Sequence, residues 1–277
     1  MSKQRQIRLA AFSDAAARLN PDAPYCGNED AFFVDDDLGD DKSGYFEADK
    51  VVALSSHGAL MVVADGMGGA NAGEVASHLA CDVIGQQFES LDSEKVTDTL
   101  GRQEFLENAI LQAGLKISCK AMVDNECHGM GTTVVAAWLV GDMLTVSWLG
   151  DSRAYLYRKR KGLMLLTEDH SFVQDLVRKG VLSQEETFQH PQGNIITRCL
   201  GGFEPHEPET LHFKVKKGDI ILLCSDGLSG VLRDKEIGTI IQSNRDSLVE
   251  CRKTLFAAAK DAGWTDNVTV VLCEIVG

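Results

Sequence analysis

Five short acidic motifs are spread along this 277-residue chain, each beside an apolar or β-rich run. Asn28-Glu29-Asp30 precedes the run at 31–34, and the run at 60–64 leads into Asp65-Gly66. The run at 144–149 leads into Gly150-Asp151, the run at 220–224 into Ser225-Asp226-Gly227, and Asp266-Asn267 stands before Val268. Taken singly, each reads equally well as a turn, because Asp-Gly and Gly-Asp are favoured turn dipeptides. Taken together they put carboxylates at strand ends, where they can reach one cleft at a sheet edge. Two such carboxylates about 4 Å apart repel by roughly 4 kcal/mol at an effective dielectric of about 20. A converged cluster therefore demands cations, and carboxylate oxygens without neighbouring histidines or thiolates select magnesium, manganese or calcium over zinc or copper. Two divalent ions would balance four carboxylates and still accept an anionic phosphate, with a bridging water positioned for in-line displacement at phosphorus.

For the acids to meet, the runs beside them must lie in packed layers. Strands are expected at 7–12, 31–34, 60–64, 133–139, 144–149, 154–157, 163–166, 220–224 and 268–276. Amphipathic helices are expected at 71–88, 103–123, 234–241 and 247–262, and shorter ones at 171–179 and 183–187. Residues 132–166 read as an antiparallel meander, with Gly141-Asp142 as one of its turns. Strands grouped in the middle and helices grouped in pairs argue for a layered α+β domain with helices on the outer faces of sheets. The length suits one domain over 1–277, with 35–58 as an exposed hairpin or loop insertion whose one good strand is 51–54.

The formal charge of -14 argues against non-specific nucleic-acid binding, which needs an excess of lysine and arginine. The eight cysteines lack the spacing of a zinc site or redox pair, and Cys224 and Cys273 sit in apolar runs as small hydrophobes, which suits a reducing compartment. Met1 to Arg8 has no apolar signal core, and no run reaches the length of a membrane span. A cytoplasmic monomer without nucleic-acid or membrane partners is the expectation. Trp138, Trp148 and Trp264 read as core residues, and His170 and His190 as structural hydrogen-bonding groups.

Seven motifs occur in one order: Asn28-Glu29-Asp30, Asp65-Gly66-Met67-Gly68-Gly69, Gly131-Thr132-Thr133, Gly150-Asp151-Ser152-Arg153, Leu166-Thr167-Glu168-Asp169-His170-Ser171, Ser225-Asp226-Gly227 and Asp266-Asn267-Val268-Thr269. In this the chain resembles the bacterial branch of the protein phosphatase 2C family. The resemblance extends over nearly the whole chain and includes a flap at 171–196. It implies a four-layer α-β-β-α sandwich of two antiparallel sheets flanked by helix pairs, with two Mn2+ or Mg2+ ions at one end. By the same resemblance Asp65 bridges both ions, Gly66 offers its carbonyl, Glu29 serves one ion, and Asp226 and Asp266 serve the other. Asp30 accepts hydrogen bonds from water on the ions, and Asp65, Asp226 and Asp30 form the catalytic set. Asp151 is either a ligand of a weaker third ion or the cap of its own turn.

The family's usual phosphate-gripping arginine is replaced here by Tyr25. Arg18 substitutes for it, or the ions alone hold the phosphate. Met67 stands where animal members carry a histidine, and a thioether transfers no proton. The resemblance implies hydrolysis of phosphoserine and phosphothreonine in proteins that a Ser/Thr kinase has modified. The alternatives are a phosphatase dedicated to one regulatory partner, such as an anti-sigma-factor antagonist, and a pseudophosphatase that binds without turnover.

Overall fold

The computed structural model describes all residues except 1–4, 15–26, 36–44, 69–71, 93–95, 97, 189, 203–204 and 264–265. Its strands form two sheets in which every pairing is antiparallel. The first runs β3(Tyr45–Ala53), β1(Gln6–Asp14), β12(Val268–Ile275), β11(Ile220–Cys224), β8(Arg153–Arg158), β9(Gly162–Leu165). The second runs β10(Glu209–Lys214), β7(Met143–Leu149), β6(Val134–Val140), β4(Ala59–Met67), β2(Asp30–Asp35), with β5(Gly131–Thr132) added to the end of β4.

Unbroken apolar runs form the central strands because both faces of each are buried. On β4, Met61 and Val63 meet the other sheet, while Leu60, Val62 and Ala64 face α1(Ala72–Glu89) and α2(Thr99–Val123). On β12, Val271 and Cys273 enter the space between the sheets, while Val270 and Leu272 meet α6(Asp234–Ser243) and α7(Leu248–Asp261). Three apolar layers thus separate four layers of structure, the α-β-β-α sandwich of an α+β protein. Trp138 and Trp148 are core residues, and Trp264 lies outside the described residues.

Two expectations need correction. Residues 132–166 do not form one meander: β6 and β7 make a hairpin in the second sheet, and after Gly150-Asp151-Ser152 the chain enters the first sheet as β8 and β9. A Gly-Asp turn looks the same in sequence whether it folds a strand back or hands it to the facing sheet. The second correction concerns 35–58, whose second half is the edge strand β3, paired with β1 from Tyr45–Phe12 to Ala53–Gln6. An edge strand packs less of its surface, so its apolar content is low enough to resemble a loop.

Residues 171–196 stand out from the sandwich as α3(Phe172–Arg178) and α4(Gln184–Thr187). Their ends are pinned together by the Ser171–Ile196 bridge and by hydrogen bonds from Phe172 N to Ile195 O and from Thr197 N to His170 O.

Candidate metal centre

The antiparallel register places Asp30, at the start of β2, opposite Asp65 near the end of β4. Asp226 opens the short helix α5(Asp226–Ser229) directly after β11, Asp151 occupies the crossing between sheets, and Asp266 precedes β12. All five acids stand at the same end of the sandwich, close enough that Asp30, Asp226, Asp151 and Asp266 each disfavour ionisation of Asp65. Glycines make room for this convergence. A Cβ on Gly66 would lie 2.1 Å from the Gly73 carbonyl oxygen and 2.6 Å from that of Glu29, and one on Gly227 would lie 1.9 Å from the Asn267 carbonyl oxygen. Glu29 lies over the start of α1, its Oε1 3.0 Å from where a Gly73 Cβ would sit.

A scaffold of hydroxyls and amides holds these segments. Asp30 Oδ2 accepts from the Ser225 and Thr269 hydroxyls, both at 2.7 Å, and Thr269 N donates to Ser225 Oγ at 3.0 Å. Glu29 N donates to Asn267 Oδ1 at 2.8 Å, joining the first motif to the last. Thr133 Oγ1 accepts from Asp65 N at 3.1 Å and hydrogen-bonds Ser152 Oγ at 2.7 Å. Ser225, Asn267 and Thr269 lie inside the acidic motifs, but their role in this scaffold is not evident from the sequence. Their signal was a hydroxyl or amide beside each acid.

The cluster carries more negative charge than its surroundings accommodate. Burial, reinforced by Asp226 and Asp266, outweighs the two hydroxyl donors and raises Asp30 to about 7. Burial and then Asp266 raise Asp226 to about 6, against a hydrogen bond with Asp65. Asp65 and Asp151 are pushed well above the ordinary carboxylate range, chiefly by burial and then by neighbouring aspartates. Arg153 is the nearby cation, but it is committed to Asp169, with Nε on Oδ1 at 2.8 Å and Nη2 on Oδ2 at 2.6 Å.

One oxygen of each of Asp30, Asp151 and Asp226 is buried without a hydrogen-bond partner. Buried charged oxygens are normally satisfied, so these three point to an absent electropositive group. An all-oxygen donor set fits Mg2+ or Mn2+. Among the described residues no group of three acidic, histidine or cysteine side chains converges closely enough to hold a metal ion by itself. Asp266 is exposed at the rim, its Oδ1 accepting from Asn267 N.

The sequence model described as Protein phosphatase 2C matches residues 40–266. The chain belongs to the protein phosphatase 2C family. Among curated relatives, the serine/threonine phosphatase stp of Listeria welshimeri is 35% identical over 215 residues, 78% of this chain and 84% of that one. The crystal structure of the Mycobacterium tuberculosis serine/threonine phosphatase PstP/Ppp matches with a TM-score of 0.78 at 33% identity, covering 98% of this chain and 100% of the other. A structure of the PstP catalytic domain in complex with two manganese ions matches with a TM-score of 0.76 at 31% identity, covering 99% and 100% of the two chains.

Elsewhere in this phosphatase 2C-family chain the two histidines noted in the sequence are hydrogen-bonded. His170 is buried and hydrogen-bonded on both ring nitrogens, and His190 Nδ1 accepts from Gln192 N in a turn. Met67 pairs with Gly131 at the end of β4. Tyr25 and Arg18, on which the phosphate-clamp question turns, lie outside the described residues. No helix among the described residues is long and apolar enough to cross a membrane.

Proposed function

We propose that this protein is a Mn2+- or Mg2+-dependent phosphatase that hydrolyses phosphoserine and phosphothreonine in proteins. The observation that carries the reading is the set of buried carboxylate oxygens on Asp30, Asp151 and Asp226 that no protein group satisfies. Glu29, Asp65, the Gly66 carbonyl, Asp226 and Asp266 would hold two ions, and Asp151 a weaker third. Bound there, the ions supply an activated water and positive charge for the phosphoryl oxygens. The chain's own groups orient and polarise. Asp30, its Oδ2 fixed by Ser225 and Thr269, keeps Oδ1 bare, so that it can accept a proton or a hydrogen bond from water. Arg153, clamped on Asp169, offsets part of the charge of Asp151 and Asp226 without occupying their oxygens.

The proposed catalytic domain spans 1–277, carries a flap at 171–196, and acts on substrates made by a Ser/Thr protein kinase. A manganese-dependent assay on a phosphothreonine peptide tests the reading. Wild-type turnover should vanish with chelator, and Asp226→Asn should lower kcat at least 100-fold. Undiminished turnover in that variant would refute the assigned chemistry, and no turnover in wild type would favour a binding role.

A further inference from the structure

Asp151 lies in the hand-over between the sheets, on a turn whose Gly150 adopts φ +109°. Its Oδ1 is buried and unpartnered, while the carboxyl also hydrogen-bonds its own backbone. Ser152 Oγ, 2.7 Å from Thr133 Oγ1, anchors the turn after Asp151, and Gly150 before it has an anchor of its own. That anchor is His170. Its backbone N–H donates to the Gly150 carbonyl at 2.9 Å, and its Nδ1 accepts from Gly150 N at 3.1 Å, so one residue grips both polar groups of the glycine. The ring stacks on Trp148 with centroids 6.3 Å apart and planes 13° apart. On its far side Nε2 faces Glu209 Oε1 at 3.1 Å, and Arg198 Nη1 donates to the same oxygen at 3.1 Å. Because Gly150 presents an N–H, Nδ1 must be the bare nitrogen, and Nε2 must carry the hydrogen that Glu209 accepts.

We propose that His170 is a positioning residue for Asp151: held in the Nε2–H tautomer by Glu209, it fixes the Gly150 turn so that the buried Asp151 oxygen is presented for a weak third divalent ion. The inference rests on the metal-dependent reading above. Arg198 follows the closing stem of the 171–196 segment, so the same chain of contacts joins that stem to the Asp151 turn through Glu209 and His170.

Two substitutions separate positioning from simple core filling, because the amide oxygen of asparagine falls near Nδ1 and the amide nitrogen of glutamine near Nε2. His170→Asn keeps an acceptor for Gly150 and loses Glu209. His170→Gln keeps a donor for Glu209 and loses the acceptor. Titration of the metal-free protein with Mn2+, followed by calorimetry, reads the ions directly and without turnover. The expected result is a weakest binding step within about threefold of wild type for His170→Asn and at least tenfold weaker for His170→Gln, with the tighter steps unchanged in both. Equal weakening in the two variants, or none in either, would overturn the proposal. Two tight ions and no third in wild type would overturn it while sparing the phosphatase reading, whereas no Mn2+ binding at all would sink both. Nitrogen-15 NMR of wild-type His170 provides the check that survives if the buried variants fail to fold: a bare Nδ1 and a protonated Nε2 are expected, and the opposite tautomer rejects the mechanism. In that case the half-exposed Glu209→Ala carries the titration, with at least threefold loss at the weakest step expected and no loss counting against it.

Discussion

Asp30 has one oxygen held by two hydroxyls and one held by nothing, and that asymmetry sets how the protein responds to pH. In the metal-free fold Asp30 titrates at about 7 and Asp226 at about 6, against 3.8 for an ordinary aspartate. Between those values the folded chain binds more protons than the unfolded chain, so the contribution of these groups to stability falls as pH rises from near 4 toward 7. On the proposed assignment divalent ions would displace the proton from Asp226 directly and lower the proton affinity of Asp30 through their charge and bound water, removing that penalty. The rise in Tm on adding Mg2+ to chelated protein should therefore be small at pH 5 and several-fold larger at pH 8, as a thermal-shift series would read. A shift that shrinks with pH would mean that the ions bind elsewhere. Asp30→Asn should flatten the dependence.

The helical segment between β9 and β10 is tied to the sandwich at two places. Its ends are laced by the Ser171–Ile196 bridge, and its tip is held by Arg233, the N-cap of α6, which pairs with Glu185 and lies 4.6 Å over the Phe188 ring. The Arg233–Glu185 pair is exposed and the Phe188 ring half-buried, so each contact is worth about 1 kcal/mol or less to global stability. Locally they are the tether of a short two-helix excursion. Arg233→Ala should speed limited proteolysis within 179–190 several-fold while leaving the Tm within about 2 °C, since local opening and global unfolding are separate equilibria. Unchanged cleavage would show that the stem alone holds the segment. At this scale the sequence was readable where a pattern was local. The buried runs of β4, β6, β11 and β12 and the long amphipathic helices announced themselves, and all five acids belonged to recognisable motifs. The strand β10 did not, because Glu209, Thr210 and His212 interrupt its apolar spacing while serving partners on β7, α2 and His170. Nor could local pattern reveal that Asp30 would be held by hydroxyls 195 and 239 residues away.

Over the whole molecule, charge and reactivity are distributed unevenly. The acids crowd one end of the sandwich, while Lys159, Arg160, Lys161, Lys216 and Lys217 stand exposed on turns at the other, which Arg158 joins through Asp219 and the Lys214 carbonyl. Thiols are segregated as well. Cys81, Cys127, Cys224, Cys251 and Cys273 are buried, and burial pushes Cys224 and Cys251 up to about 12, whereas Cys119 is exposed on α2. Brief maleimide treatment of the folded protein at neutral pH should modify Cys119 and spare those five, as peptide mapping would establish. Labelling of Cys224 without denaturant would contradict this core. The first sheet carries a last implication. β12, the final strand in chain order, lies between β1, the first, and β11. While a ribosome is still making the chain, β1 lacks its inner neighbour and the pocket lacks Asp266 and the Thr269 hydroxyl. On the proposed metal centre a nascent chain would gain phosphatase activity only once β12 has emerged and inserted.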